Sequence, residues 1–128
     1  MKKVLMIEDS SFFAIIIKNF ILQVSEELNP KITFAIDAAI EEKGAIKLIK
    51  EENYCLITLD GNLANHGHGI NVLKKIDSKI FSKIIVISTD EFFLKYCKEN
   101  NIPAFDKSKL SENEEELIKL MKKIINSN

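Results

Sequence analysis

The sequence carries no surplus charge of either sign: 18 basic and 19 acidic side chains leave a formal charge of -1 at pH 7. That balance provides no electrostatic footprint for nucleic acid or an anionic membrane surface. Long hydrophobic runs are missing too. The longest, Phe12-Phe13-Ala14-Ile15-Ile16-Ile17, has six residues, far below the roughly 20 that cross a bilayer as a helix. Met1-Lys2-Lys3 leads directly into a strand-like run rather than a signal peptide, so the expected location is the cytoplasm. Cysteine is scarce, and Cys55 and Cys97 fall in a predicted strand and a predicted helix. Both are expected as reduced, buried thiols rather than as a disulfide or a metal pair. No internal repeat or low-complexity segment divides the chain. At 128 residues it fits one domain, 1–128, with a single core.

Glycine is nearly absent outside one stretch, since three of the four glycines lie between 61 and 69. Before them, Tyr54-Cys55-Leu56-Ile57-Thr58-Leu59 reads as a strand buried on both faces, as inside a parallel sheet. Asp60 falls where that strand ends. Gly61, Gly67 and Gly69 then predict a backbone that turns and stays open until a helix restarts at Ile70. An acid at the carboxyl end of a central strand, facing such a loop, sits where open α/β sheets keep their chemistry.

The rest of the chain alternates strand and helix. A first strand over 4–7 ends on Glu8-Asp9, and Ser10 or Ser11 can cap a helix running to about Leu28. On that helix Phe13, Ile16, Ile17, Phe20, Ile21, Val24 and Leu28 share one face, while Phe12, Ile15 and Leu22 fall away from it and are expected to be partly exposed. Asn29-Pro30 ends the helix. A second strand is expected over 31–36, a second helix over 40–50, and a short third helix from Ile70. A strand over 83–87 ends on Ser88-Thr89-Asp90, and a fourth helix spans 91–100 with Phe92, Phe93, Leu94, Tyr96 and Cys97 as its apolar positions. Residues 102–105 read as an edge strand because of Pro103. Ser111 and Glu114 suggest a capping box for the last helix, on which Leu117, Leu120, Met121, Ile124 and Ile125 repeat on one face. Residues 126–128 read as a frayed tail. Five strands alternating with five helices predict an α/β fold, a doubly wound five-stranded parallel sheet with helices on both faces.

With strand order 2-1-3-4-5, Glu8, Asp9 and Asp60 meet in one crevice at the topological switch point. Carboxylates that close repel one another, and a hard divalent cation relieves the conflict. Mg²⁺ is the natural choice, because it takes few protein ligands and keeps waters or substrate oxygens. The rim also receives the Ser88 hydroxyl and the Lys107 ammonium. This set suits in-line attack of the Asp60 carboxylate on a phosphoryl group while Mg²⁺, Lys107 and Ser88 neutralise its oxygens.

With Glu8-Asp9, Leu59-Asp60, Gly69 before an apolar helix, Ser88 and Lys107, the chain resembles response-regulator receiver domains over nearly its whole length, in particular the stand-alone, chemotaxis-regulator-like kind. The resemblance implies a flavodoxin-like receiver fold. It makes Asp60 the phosphoacceptor and gives Mg²⁺ to Glu8, Asp9, Asp60 and the main-chain carbonyl of Asn62. Ser88 and Lys107 would contact the phosphoryl group. The implied donor is a histidine kinase or histidine phosphotransfer protein, and the implied readout is an unknown downstream protein target or onward relay. Phosphorylation-dependent dimerisation is left open. Such a protein is a Mg²⁺-dependent self-phosphorylating phosphoacceptor with autophosphatase activity rather than a conventional turnover enzyme.

The departures from that pattern are specific. Ala64 stands where the family usually has Pro, and the loop to Gly69 is one residue longer than usual. The segment from Ser88 to Lys107 looks short, and Ser108 follows Lys107 where Pro is more typical. Ala104 occupies the place of the Tyr or Phe that swings inward on activation; the adjacent Phe105 is expected on the other side of the strand. Asn62 and Asp90 are expected to border the line along which water attacks the acyl phosphate. His66 and His68 lack a third metal ligand and are read as part of a polar loop beside the site. A flavodoxin-like nucleotide binder needs a Gly/Ser/Thr-rich cradle where this chain has two acids, and a haloacid-dehalogenase-type phosphatase needs an acid where it has Asn62. The remaining alternative is a non-phosphorylated pseudo-receiver that acts as an interaction module.

Overall fold

Apolar side chains on both faces of the inner strands require cover on both sides of the sheet, and the computed structural model, which describes residues 1–127, provides it. The chain runs β1 (Lys2–Ile7), α1 (Ser11–Glu27), β2 (Phe34–Ala39), α2 (Glu42–Glu51), β3 (Leu56–Leu59), β4 (Asn62–Leu63), β5 (Gly67–His68), α3 (Gly69–Lys74), β6 (Ile84–Ser88), α4 (Glu91–Glu99), β7 (Ala104–Asp106) and α5 (Glu114–Asn126). The main sheet is parallel throughout, in the order β2-β1-β3-β6-β7. Counting its five strands alone, this is the expected 2-1-3-4-5 order. β1 pairs with β2 on one side and β3 on the other, so the winding reverses between the carboxyl ends of β1 and β3.

Side-chain alternation along the strands divides the interior into two layers. Val4, Met6, Leu56, Ile85, Ile87 and Phe105 pack with the apolar faces of α1 and α5. Leu5, Ile7, Ile57, Leu59, Ile84 and Val86 pack with residues of α2, α3 and α4. The single core expected from length is therefore split by the sheet. Ser10 caps α1 by accepting from the Phe13 amide at 3.3 Å. Ile17, Phe20, Ile21 and Val24 are buried, whereas Phe12, Ile15 and Leu22 remain 66%, 62% and 46% exposed, as their helical positions require.

Several boundaries differ from the sequence reading. β2 starts at Phe34 rather than at 31, because the registers Lys2↔Phe34 through Ile7↔Ala39 fix its pairing. Residues 31–33 are connection: Lys31 pairs with Glu26 at 2.8 Å, and the Ser25 hydroxyl donates to the Ile32 carbonyl. α2 begins at Glu42, and Ile40 is exposed. Tyr54 and Cys55 precede β3, although both are buried. β7 starts at Ala104, at the edge as expected. On α4 only Phe93 and Cys97 are buried; Phe92 is 87% exposed. Both thiols are free and buried, and burial pushes Cys97 up to about 12.

The capping box at Ser111 does not form. Leu110 is drawn into the core, and the chain makes a further turn, with the Asn113 amide donating to the Lys109 carbonyl at 3.0 Å, before α5 begins after Asn113. Glu114, Glu115 and Glu116 then occupy the first turn of α5, where their charge favours the helix dipole. Of the expected frayed tail, Asn126 is helical, Ser127 bonds back to the Lys123 carbonyl, and Asn128 lies outside the described residues. Among the described residues no helix is long and apolar enough to cross a membrane.

Candidate functional site

The carboxyl ends of β1 and β3 bring Glu8, Asp9 and Asp60 together, with one carboxylate oxygen from each lying within 4.8 Å of the others. Glu8 and Asp60 are buried, while Asp9 is exposed. Lys107, just after β7, reaches across: its Nζ is 2.8 Å from Glu8 Oε1 and 3.2 Å from Asp60 Oδ2. The ammonium also lies 4.0 Å from the centroid of the Phe13 ring, so α1 supplies a cation–π contact on its far side. The sequence reading missed Phe13 in this role, having assigned it only to the core face. Burial, then the hydrogen-bonded Asp60 carboxyl, pushes the Glu8 carboxyl up from 4.5 to about 7, with Lys107 acting in the opposite direction.

The backbone after Asp60 is shaped for close approach. The Gly61 amide donates to Asp60 Oδ1 at 2.7 Å, leaving Oδ2 beside Lys107. A Cβ on Gly61 would stand 2.6 Å from Ser88 Oγ, and one on Gly69 would stand 2.3 Å from the Asp60 carbonyl oxygen. Neither glycine has a positive φ; both are needed for space. The left-handed residues of this loop are Asn65 and His66, at φ 59° and 58°. They form the tip of an antiparallel hairpin in which Asn62 opposes His68 and Leu63 opposes Gly67, consistent with a type I′ turn. The open glycine loop expected between 61 and 69 is thus a hairpin, and α3 begins at Gly69 rather than Ile70.

Ser88 is buried at the end of β6, where its Oγ accepts from the Asp90 amide at 3.0 Å. Asp90, expected to border an attacking water, is already engaged. Its Oδ1 caps α4 by accepting from Phe92 and Phe93 at 3.0 and 3.1 Å, and its Oδ2 lies 2.9 Å from His68 Nε2. The His68 hydrogen bond, followed by the Phe93 amide, holds the Asp90 carboxyl below its usual range. His66 and His68 do not act as a pair: His66 sits at the hairpin tip, and His68 packs edge-on against Phe93 with ring centroids 5.0 Å apart. Only the positive φ values give the tip its shape, and no spacing rule announced them.

No family model matches the chain, and no curated protein matches it in sequence. Solved structures do match over almost the full length. A sensor protein from Polaromonas is 17% identical, with 98% of this chain and 97% of that one covered and a TM-score of 0.74. The receiver domain of a Francisella response regulator is 21% identical, with coverage of 99% and 98% and a TM-score of 0.70. A Thermotoga maritima response regulator in complex with Mg²⁺-BeF is 22% identical, with coverage of 94% and 99% and a TM-score of 0.67. The fold is that of a response-regulator receiver domain. Within the receiver fold, Ala104 lies on the α4 side with Leu94 and Ile102, and Phe105 points into the opposite layer beneath α1 and α5. The strand alternation expected at this pair therefore holds, and the position of the usual aromatic is filled by a methyl group.

Proposed function

We propose that the protein is a two-component receiver that accepts a phosphoryl group on Asp60 in the presence of Mg²⁺. The observation that carries this reading is the buried acid pair with Lys107 bridging it: Glu8 and Asp60 share one ammonium at 2.8 and 3.2 Å, beside a third acid. The donor set fits a hard divalent cation, since three carboxylates converge where burial and mutual repulsion already hold Glu8 partly protonated. Glu8, Asp9, Asp60 and the Asn62 carbonyl would hold it, and when bound it supplies positive charge to the phosphoryl oxygens.

The chain's own residues do the rest. The Gly61 amide fixes Asp60 Oδ1, leaving Oδ2 to attack the phosphorus of a phosphohistidine in line. The new P–O bond forms on Asp60, the P–N bond breaks, and the electron pair leaves on the donor imidazole. Lys107 and the Ser88 hydroxyl balance charge on the transferring oxygens. Hydrolysis of the acyl phosphate returns Asp60. Phosphorylation by a small acyl phosphate in Mg²⁺ and its loss in EDTA test the reading; equal labelling in both would overturn it. The missing aromatic at Ala104 favours a second reading, a non-phosphorylated interaction module, and the same experiment separates the two.

The protein donor is the natural occupant of the α1 surface. Ile15 and Leu22 are exposed on one side of the helix, with Phe12 at the end nearest Asp60, and an apolar, helical histidine-bearing partner fits such a patch. Converting Ile15 and Leu22 to polar residues is expected to leave labelling by the small phosphodonor unchanged and to lower transfer from the cognate protein about tenfold or more, as loss of one or two apolar anchors implies. Comparison of the two initial rates checks this.

A further inference from the structure

We propose that His68 is a positioning residue that couples the Asp60 site to the first turn of α4, in the place of the absent aromatic at 104. The inference rests on the phosphoacceptor reading above and concerns how the phosphorylated state is passed on. Ala104 presents only a methyl group on the α4 side of the edge strand, so nothing there can follow Ser88 when it moves. A continuous set of contacts runs instead through the hairpin.

One end of this set is fixed to Asp60. Gly69 N donates to the Gly61 carbonyl at 2.8 Å, and the space for a side chain on Gly69 is closed by the Asp60 carbonyl at 2.3 Å and the Phe93 ring at 2.9 Å. With no slack between them, a change in the backbone at Asp60 must reach the base of the hairpin. The other end is fixed to α4. His68 Nδ1 accepts from the Ile70 amide at 3.0 Å, which leaves its ring proton on Nε2, 2.9 Å from Asp90 Oδ2. Asp90 caps α4 through its other oxygen and donates its amide to Ser88 Oγ. The imidazole also packs at a steep angle against Phe93, the buried ring of the same helix turn. Ser88, Asp90, His68 and the hairpin therefore close a ring of contacts around Gly61. When Ser88 Oγ shifts toward a phosphoryl oxygen, it draws with it the Asp90 amide that donates to it, and the cap of α4 follows or parts from His68.

Two substitutions separate this role from simple capping. Asn at 68 keeps an acceptor for the Ile70 amide, and Asn is a good N-cap, but it is too short to reach Asp90. Gln at 68 carries an amide donor with the reach to Asp90. The readout is amide hydrogen exchange at Phe92 and Phe93, measured with and without phosphorylation of Asp60 by a small acyl phosphate in Mg²⁺. In the wild type, phosphorylation should change protection there about tenfold or more, within the usual range of coupling between sites. His68→Asn should be labelled to the same extent but lose that change, and His68→Gln should restore part of it. Asp90→Asn keeps the cap through its amide oxygen while facing His68 Nε2–H with a second donor, so it should lose the response as His68→Asn does. The double variant should be no worse than either single one. A response of wild-type size in labelled His68→Asn or Asp90→Asn overturns the coupling. So does a wild type that is labelled but shows no change at α4. A wild type that takes no label overturns the phosphoacceptor reading and the coupling with it.

Discussion

Replacing Glu8 and Asp9 with Gln and Asn should abolish phosphorylation of Asp60 and at the same time make the metal-free protein more stable. The two effects have one cause. Glu8 is buried beside Asp60 with its carboxyl raised from 4.5 to about 7, so the folded state binds a proton that the unfolded state releases. The stability this group contributes is complete below pH 4.5 and is lost as pH rises through about 7. A neutral amide has no such loss. Lys107 keeps a partner in the variant, because Asp60 Oδ2 remains 3.2 Å from its Nζ. The gain should be about 1–3 kcal/mol at pH 8 and should vanish near pH 4. Mg²⁺ at 100 times its dissociation constant should raise only the wild type, by about 2.7 kcal/mol. Thermal melts at both pH values, with and without Mg²⁺, check this. A variant that is less stable than the wild type at pH 8 without metal would contradict it.

Gly69→Ala should be the most damaging of the four glycine-to-alanine changes. Its Cβ meets backbone at 2.3 Å and the buried Phe93 ring at 2.9 Å, neither of which can move without shifting Asp60 or α4. Overpacking of this kind costs about 1–3 kcal/mol, and the displaced Asp60 should slow phosphorylation as well. Gly44→Ala is the control. In α2 its Cβ finds only the Glu41 side chain at 3.9 Å, so the variant should gain about 0.5–1 kcal/mol from helix propensity. Urea unfolding of the two variants gives opposite signs if steric closure at Gly69 is the cause.

Strand order, the two-sided cover and the placement of Glu8, Asp9, Asp60, Ser88 and Lys107 at one end of the sheet were legible because apolar strands ending on polar residues fix both the sheet and its polar edge. The boundaries that slipped were governed by partners far away in sequence. β2 begins at Phe34 because β1 dictates its register, and Ser111 loses its capping role because Leu110 is pulled into the core. The hairpin was hidden for a different reason. Glycines suggested an open loop, whereas here they make room for the Ser88 hydroxyl and the Asp60 carbonyl, and the turn itself is carried by Asn65 and His66. The role of the His68 ring could not be assigned from sequence, since its nitrogens join the Ile70 amide of α3 to Asp90, which caps α4 more than twenty residues on.

Asp60 itself is the expected site of phosphorylation. The most direct test is intact-mass measurement of the wild type and Asp60→Asn after incubation with acetyl phosphate and Mg²⁺. The wild type should gain the mass of one phosphoryl group, lost on treatment with hydroxylamine as an acyl phosphate requires, and Asp60→Asn should gain none. Equal labelling of the two proteins, or an unmodified wild type under conditions where Mg²⁺ raises its melting temperature, would contradict the account.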